Sequence, residues 1–174
     1  MAALVEASRD PACPYEIVLV ISNVPDAPGL AFAADNGIPQ FALSHKGMKR
    51  AEFDAIVDGA LRDANVEYVA LAGYMRLLSP GFVDRWAGRI VNIHPALLPA
   101  YKGVDTHQRV LDAGETKHGV TVHIVTAELD DGPILGQAEV PVLPGDDADT
   151  LAARVLVEEH KLYPKALADL VRRA

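Results

Sequence analysis

Cysteine is almost absent from this chain, with Cys13 standing alone. No internal disulfide framework can form, and a reducing compartment is expected, with the cytoplasm as the localisation that follows. No apolar run reaches membrane-spanning length. The first ten residues have neither the basic start nor the apolar centre of an export signal. Basic residues are outnumbered, 16 Lys and Arg against 24 Asp and Glu, for a formal net charge of -8. Neither a nucleic acid nor a membrane surface is therefore expected as a partner, and any anionic ligand must be met by local donors. No Gly-x-Gly-x-x-Gly turn occurs, which argues against a dinucleotide site. Internal repeats, low-complexity segments and linkers are also missing. Half of the 174 residues are hydrophobic, enough for one domain with a sizeable core.

The order of apolar patterns predicts alternating strands and helices. Ala2 to Ser8 has helix-forming composition but no capping residue ahead of it. Glu16 to Ile21 reads as a strand, followed by a proline-bearing turn over Ser22 to Gly29, a helix from about Leu30 to Asn36 ended by Gly37, and a short strand over Pro39 to Leu43. Met48 to Ala64 reads as an amphipathic helix with Phe53, Ile56, Val57, Ala60 and Leu61 on one face, leading into a strand over Tyr68 to Ala72. Ser79 and Pro80 mark a helix start. Arg89 to Ile93 has the β-branched run of a strand buried on both faces of a parallel sheet. A proline-bracketed loop over Pro95 to Val104 and a helix over Thr106 to Ala113 come next. Strands over Gly119 to Val125 and Ile134 to Val142 form a hairpin, and a helix begins near Thr150, bent or divided by Pro164. The fold class that follows is single-domain α/β: a mostly parallel twisted sheet, Rossmann-like, with helices on both faces and one antiparallel strand pair toward the C-terminal part.

The chemistry is expected where Val91-Asn92-Ile93-His94-Pro95 runs out. Strand alternation sends Asn92 and His94 to the same side, and ligands of open α/β sheets collect beyond strand ends. An amide that donates to a developing oxyanion beside an imidazole that carries a proton suits acyl-type transfer. An acidic turn at Asp130 could orient that imidazole and favour its charged form. The histidines His94, His107, His118 and His123 fit no recognised zinc spacing and have no cysteine partner, so no metal is expected. Lys46, Lys49 and Arg50 form a basic helix start, either a solvated surface or an attraction for an anionic ligand.

Asn92-Ile93-His94-Pro95-Ala96-Leu97-Leu98-Pro99, Gly103, Gly119-Val120-Thr121-Val122-His123 and Leu129-Asp130-Asp131-Gly132-Pro133-Ile134, taken in order, resemble the formyltransferase family that uses 10-formyltetrahydrofolate. Leu71 to Pro80, Glu158-Glu159-His160 and Tyr163-Pro164 are similar to the branch that formylates glycinamide ribonucleotide in purine synthesis, and the likeness runs from Met1 to about Leu170. The resemblance implies Asn92, His94 and Asp130 as catalytic trio, with Asp130 raising the His94 pKa. It implies a folate pocket lined by Arg50, Met75, Arg76, Leu77, Leu78, Thr126, Ala127, Glu128 and Leu129. Gly73 and Glu159 would hold the ribonucleotide. 10-Formyltetrahydrofolate enters as co-substrate, without a metal. A formyltetrahydrofolate hydrolase shares the trio, and a non-catalytic folate-binding fragment is a further alternative. A methionyl-tRNA formyltransferase would need RNA-facing positive charge.

Family members normally begin with a strand and a glycine-rich turn ending Gly-Ser-Asn, which holds the ribonucleotide phosphate. Met1 to Ala7 resembles instead the helix that follows that turn. The resemblance thus implies that residues 1–174 form one formyltransferase domain that starts one strand late and lacks the usual C-terminal extension; a start misplaced at an internal methionine is the expected reason, with a short chain that is unstable or inactive as the alternative. An unpaired, apolar gap inside the sheet is expected.

Overall fold

A computed structural model describes residues 1–174. In chain order the elements are α1 (Ala2–Ser8), β1 (Val20–Ser22), α2 (Pro28–Asp35), β2 (Gln40–Ala42), α3 (Arg50–Asp63), β3 (Val69–Ala70), α4 (Pro80–Arg85), β4 (Ile90–His94), α5 (Thr106–Asp112), β5 (Lys117–Ile124), β6 (Ile134–Pro141) and α6 (Ala148–Arg172). No helix is long and apolar enough to cross a membrane.

The strands form two sheets. β1 pairs parallel with β2, while β3, β4, β5 and β6 form a mixed sheet in that order. β3 and β4 are parallel, and β4–β5 and β5–β6 are antiparallel. β4 therefore does not lie between two parallel neighbours as its β-branched run suggests; the loop and α5 return the chain so that β5 runs against it. Apolar patterning reports burial of a strand and is blind to the direction of its neighbours.

Between the two sheets lies a largely apolar cavity of about 670 Å³, bordered on one side by Ile17 to Ser22 and on the other by Val66 to Leu71. β1 and β3 thus each pair along one edge only. The pairing of Glu16–Ile21 and Tyr68–Ala72 shrinks to Val20–Ser22 and Val69–Ala70, because a strand needs a partner backbone along its length. The expected gap in the sheet is present as this cavity.

Local signals and packing agree along most of the chain. Ser79 Oγ accepts from Phe82 N at 3.4 Å with Pro80 in the first helical turn. On α3, Phe53 and Leu61 are buried, but Ile56 is 42 % exposed. Asp54 and Asp58 take the buried places beside them: Asp54 accepts from Ser79 N at 2.5 Å, and Asp58 accepts from Trp86 Nε1 at 2.9 Å and from Arg85 at 2.6 Å. Fixed donors on α4 offset the desolvation of both carboxylates. Pro164 neither divides nor ends α6, which is continuous. Burying Leu151, Val155, Tyr163 and Leu167 against the mixed sheet and α1 contributes about 1.5–3 kcal/mol per side chain. That outweighs the ~3 kcal/mol of one interior proline. The Tyr163 hydroxyl reaches Leu71 O at 2.7 Å and Val91 O at 3.1 Å, tying α6 to the ends of β3 and β4.

Candidate active site

The register of β4 against β5 places Asn92 opposite His123 and His94 opposite Thr121. Directly opposed residues of an antiparallel pair share a face, so these four side chains leave the sheet together. A register shift between Val122 and His123 marks the β6 side of the same position, and such irregularities re-aim side chains. The Asn92 amide is half-buried and makes no hydrogen bond within the chain. His94, at the last position of β4, is buried, and its Nε2 donates to Tyr101 O at 2.8 Å. A carbonyl only accepts, so Nε2 keeps its hydrogen and the second nitrogen, Nδ1, is where a proton can come and go. Nδ1 faces Asp130 Oδ2 at 3.5 Å.

The loop that supplies the Tyr101 carbonyl is clamped from several sides. Thr121 Oγ1 donates to Ala96 O at 2.7 Å and accepts from Leu98 N at 3.1 Å, and Gln137 donates to Leu98 O at 2.8 Å. Thr106 Oγ1 donates to Pro95 O at 2.6 Å. Arg109 lies over the Tyr101 ring at 5.4 Å and donates to Lys102 O at 2.7 Å. These groups fix the loop whose Tyr101 carbonyl holds His94. Nothing in their spacing singled them out, because each acts on backbone atoms far away in sequence.

Asp130 sits in the β5–β6 connection with a positive φ of 50°. Its Oδ2 accepts from Gly103 N at 2.9 Å, and its Oδ1 is 3.8 Å from His123 Nε2. The turn is held onto β5 by Ile124 N donating to Pro133 O at 2.9 Å. Gly132 lies so close that a Cβ there would meet Ile124 O at 1.7 Å. His123 donates from Nδ1 to Ile124 O at 3.0 Å, and its buried Nε2 has no hydrogen-bond partner.

Behind His94, the ring nitrogens of His107 (Nδ1) and His118 (Nε2) meet at 3.0 Å. Burial pushes His118 down to about 4, helped by the nearby His107 and His94, and burial lowers His107 as well. No group of three or more His, Cys, Asp or Glu side chains is arranged to hold a metal ion. The pair has a consequence for stability. A histidine whose titration is depressed on folding takes up its proton on unfolding, so its contribution is complete above the ordinary value near 6.5 and is lost as the pH falls from there toward 4. Chemical denaturation between pH 7 and 4.5 should show a fall in unfolding free energy, of at most about 3 kcal/mol from His118. His118→Asn should flatten that slope; equal slopes in variant and wild type would refute the assignment.

The other residues expected at ligand sites fall into distinct settings. Met75, Leu77 and Leu129 are 81 %, 54 % and 54 % exposed, large apolar side chains left to solvent. Leu78 instead packs on the core cluster of Leu61, Phe82, Trp86 and Ile90. Arg76 lies over the Phe53 ring at 5.1 Å, and its Nη1 is buried without a partner. Phe53 is one turn from Arg50, which is exposed in the first turn of α3 and makes no ion pair. Thr126 is half-buried, and Ala127 and Glu128 are exposed on the connection leading to Asp130. Gly73, with φ of 67°, borders the cavity between the sheets. Glu159, half-buried on α6, has its carboxyl raised by burial and lies near enough to the Met1 amine for its charge to act there. No hydrogen bond or ion pair joins Arg50, Gly73 or Glu159 to the trio, of which His94 and Asp130 face each other and Asn92 shares the sheet face of His94.

Residues 1–167 match the formyl transferase family. The chain is 41 % identical to a phosphoribosylglycinamide formyltransferase of Haemophilus influenzae, over 92 % of this chain and 76 % of that protein. It is 46 % identical to the trifunctional purine biosynthetic protein adenosine-3 of Bos taurus, covering 95 % of this chain but only 16 % of the relative. Among solved structures, a phosphoribosylglycinamide formyltransferase from Brucella melitensis superposes with a TM-score of 0.93 and 49 % identity, over 97 % of this chain and 88 % of that one. A glycinamide ribonucleotide transformylase from Symbiobacterium toebii superposes with a TM-score of 0.94 and 39 % identity, over 98 % and 81 %.

Proposed function

Because the chain belongs to the formyl transferase family, we propose that it moves the formyl group of 10-formyltetrahydrofolate onto the amine of glycinamide ribonucleotide, a step of purine synthesis. The observation that carries this reading is the pairing of a free donor with a poised proton carrier. The Asn92 amide is uncommitted, and on the same sheet face the one exchangeable nitrogen of His94 points at Asp130.

In the proposed reaction the amine lone pair attacks the formyl carbon, a new C–N bond forms, and the carbonyl electrons move to oxygen. The Asn92 amide donates to that oxyanion, in the manner of preorganised donors at roughly 2.7–3.1 Å, and the proton on His94 Nδ1, the nitrogen not committed to Tyr101, is the second donor, shared between the oxyanion and Asp130. Collapse breaks the bond to the folate nitrogen, which must take up a proton as the amine gives one up. The His94–Asp130 pair passes that proton, directly or through water, and ends as it began. The exposed Met75, Leu77 and Leu129 supply apolar surface for the folate, and the half-buried Arg76 supplies guanidinium charge beside it. Gly73 and Glu159 are assigned to the ribonucleotide, with the carboxylate of Glu159 suited to ribose hydroxyls.

The test is formyl transfer to glycinamide ribonucleotide with water as competing acceptor and folate binding followed in parallel. Ribonucleotide-dependent release of the unformylated folate supports the proposal. Release that is indifferent to the ribonucleotide points to a hydrolase, and binding without turnover to a non-catalytic folate binder. Arg50 offers a graded check: as an exposed cation near the anionic folate tail it contributes about 1 kcal/mol at most. Arg50→Ala should raise the folate KM about fivefold or less, and the effect should shrink with added salt. A KM unmoved at low salt would remove Arg50 from the folate site.

A further inference from the structure

His123 is a buried side chain beside the trio with no part in the proposed reaction. Its ring is almost completely buried, as is the Asp130 carboxylate that it faces. Its Nδ1 is committed to Ile124 O, which leaves Nε2 directed at Asp130 Oδ1, 3.8 Å away, with no other partner. A bare ring nitrogen facing a carboxylate oxygen would set two acceptors against each other in a site closed to solvent. A hydrogen on Nε2 makes the ring an imidazolium and turns the same approach into attraction between opposite charges.

We infer that His123 is a positioning residue, its Nε2–H holding the second oxygen of Asp130 so that the first stays on His94 Nδ1. The inference rests on the proposed role of the trio. The carboxylate then lies between two imidazoles, Oδ2 toward His94 at 3.5 Å and Oδ1 toward His123 at 3.8 Å, and the Gly103 amide fixes Oδ2 at 2.9 Å. Attracted at both oxygens, the carboxylate resists turning about its own axis. With Oδ1 released, only the Gly103 contact and the left-handed backbone of Asp130 restrain it. His123 also stands directly across the β4–β5 ladder from Asn92. One side chain thereby borders the oxyanion donor and steadies the partner of the proton carrier.

Two variants and one spectroscopic reading test this. His123→Leu keeps most of the buried volume and removes the donor; His123→Gln keeps an N–H donor at the end of a similar reach. In His123→Leu, kcat should fall about tenfold to a hundredfold, as expected for a misplaced reacting group. Both substrate KM values should change less than about twofold, because the residue touches neither substrate. His123→Gln should recover most of kcat. Wild-type kcat in His123→Leu, a loss confined to KM, or equal losses in both variants would each overturn the inference. Nitrogen NMR of the intact protein near neutral pH reads the contact without turnover: both ring nitrogens of His123 should carry hydrogen in the wild type, and Nε2 should lose it in Asp130→Asn. An Nε2 without hydrogen in the wild type overturns the inference even if the trio performs the transfer. A wild-type chain with this NMR signature and no transfer activity would sink the proposed reaction and leave the His123–Asp130 pair standing.

Discussion

Asn92→Ala will lower kcat for formyl transfer by about 10²–10³, as expected for removal of one oxyanion donor, and will leave unfolding free energy within about 0.5 kcal/mol of wild type. The structure makes this the cleanest of the three trio substitutions. The Asn92 amide is half-buried and bonded to nothing in the chain, so its removal orphans no partner. His94→Ala should abolish most turnover too, but it also strips the Tyr101 carbonyl of its 2.8 Å donor and opens a cavity in a buried site. A stability loss of about 1–3 kcal/mol should accompany it. Asp130→Ala should be equally slow and should free the Gly103 amide; Asp130→Asn keeps the shape and an acceptor while removing the charge. Steady-state kinetics with equilibrium unfolding on the same preparations separates the effects. Near-full activity in any of the three would remove that residue from the trio.

Gly132→Ala should be as damaging as a trio substitution although Gly132 has no side chain to react. The Cβ it adds would stand 1.7 Å from Ile124 O, 2.8 Å from the carbon behind it and 3.2 Å from Thr126 Cγ2. The first two are strand backbone and cannot swing aside, so the connection must lift by more than an ångström. Asp130 is two residues away in a left-handed conformation, and its carboxylate moves with it, away from both His94 and Gly103. A displacement of that size near reacting groups lowers the rate about 10²-fold. Breaking the seam between Ile124 and Pro133 should also destabilise the fold by about 1–3 kcal/mol. Gly81→Ala is the matching control: it lies in α4, has no atom within 4 Å of the added Cβ and has no left-handed backbone to strain. It should be neutral or stabilising by up to about 1 kcal/mol. Wild-type kcat in Gly132→Ala would mean that the turn does not place Asp130.

Much of the site was legible because its signals are local. A β-branched run, a proline after it and the two-residue period of a strand suffice to put Asn92 and His94 on one face at a strand end. Ser79 and Pro80 announce α4 by helix-start chemistry that acts within four residues. The motif from Asn92 to Pro99, with the acidic turn at Asp130, leads to the formyl transferase family that the comparisons bear out. Other features lay beyond such signals. The amphipathic pattern of α3 puts Ile56 inward, whereas Asp54 and Asp58 are buried in practice, because their donors come from α4 more than twenty residues away. His123 counted in the sequence as one histidine among four without zinc spacing and as the end of a family motif, with no role of its own.

By itself the sequence determined the order of helices and strands, the α/β class, the polar pair at the end of β4 and the family. All of these rest on short-range patterning or on motifs read along the chain. Tertiary structure alone decided that β5 runs antiparallel to β4, that Tyr101 takes the hydrogen of His94 Nε2, and that Asp130 lies between His94 and His123. Each of these depends on how two strands register and how a loop closes over them. Such contacts join residues 7 to 36 positions apart, and side-chain chemistry cannot reveal a distance until the backbone between them has been folded.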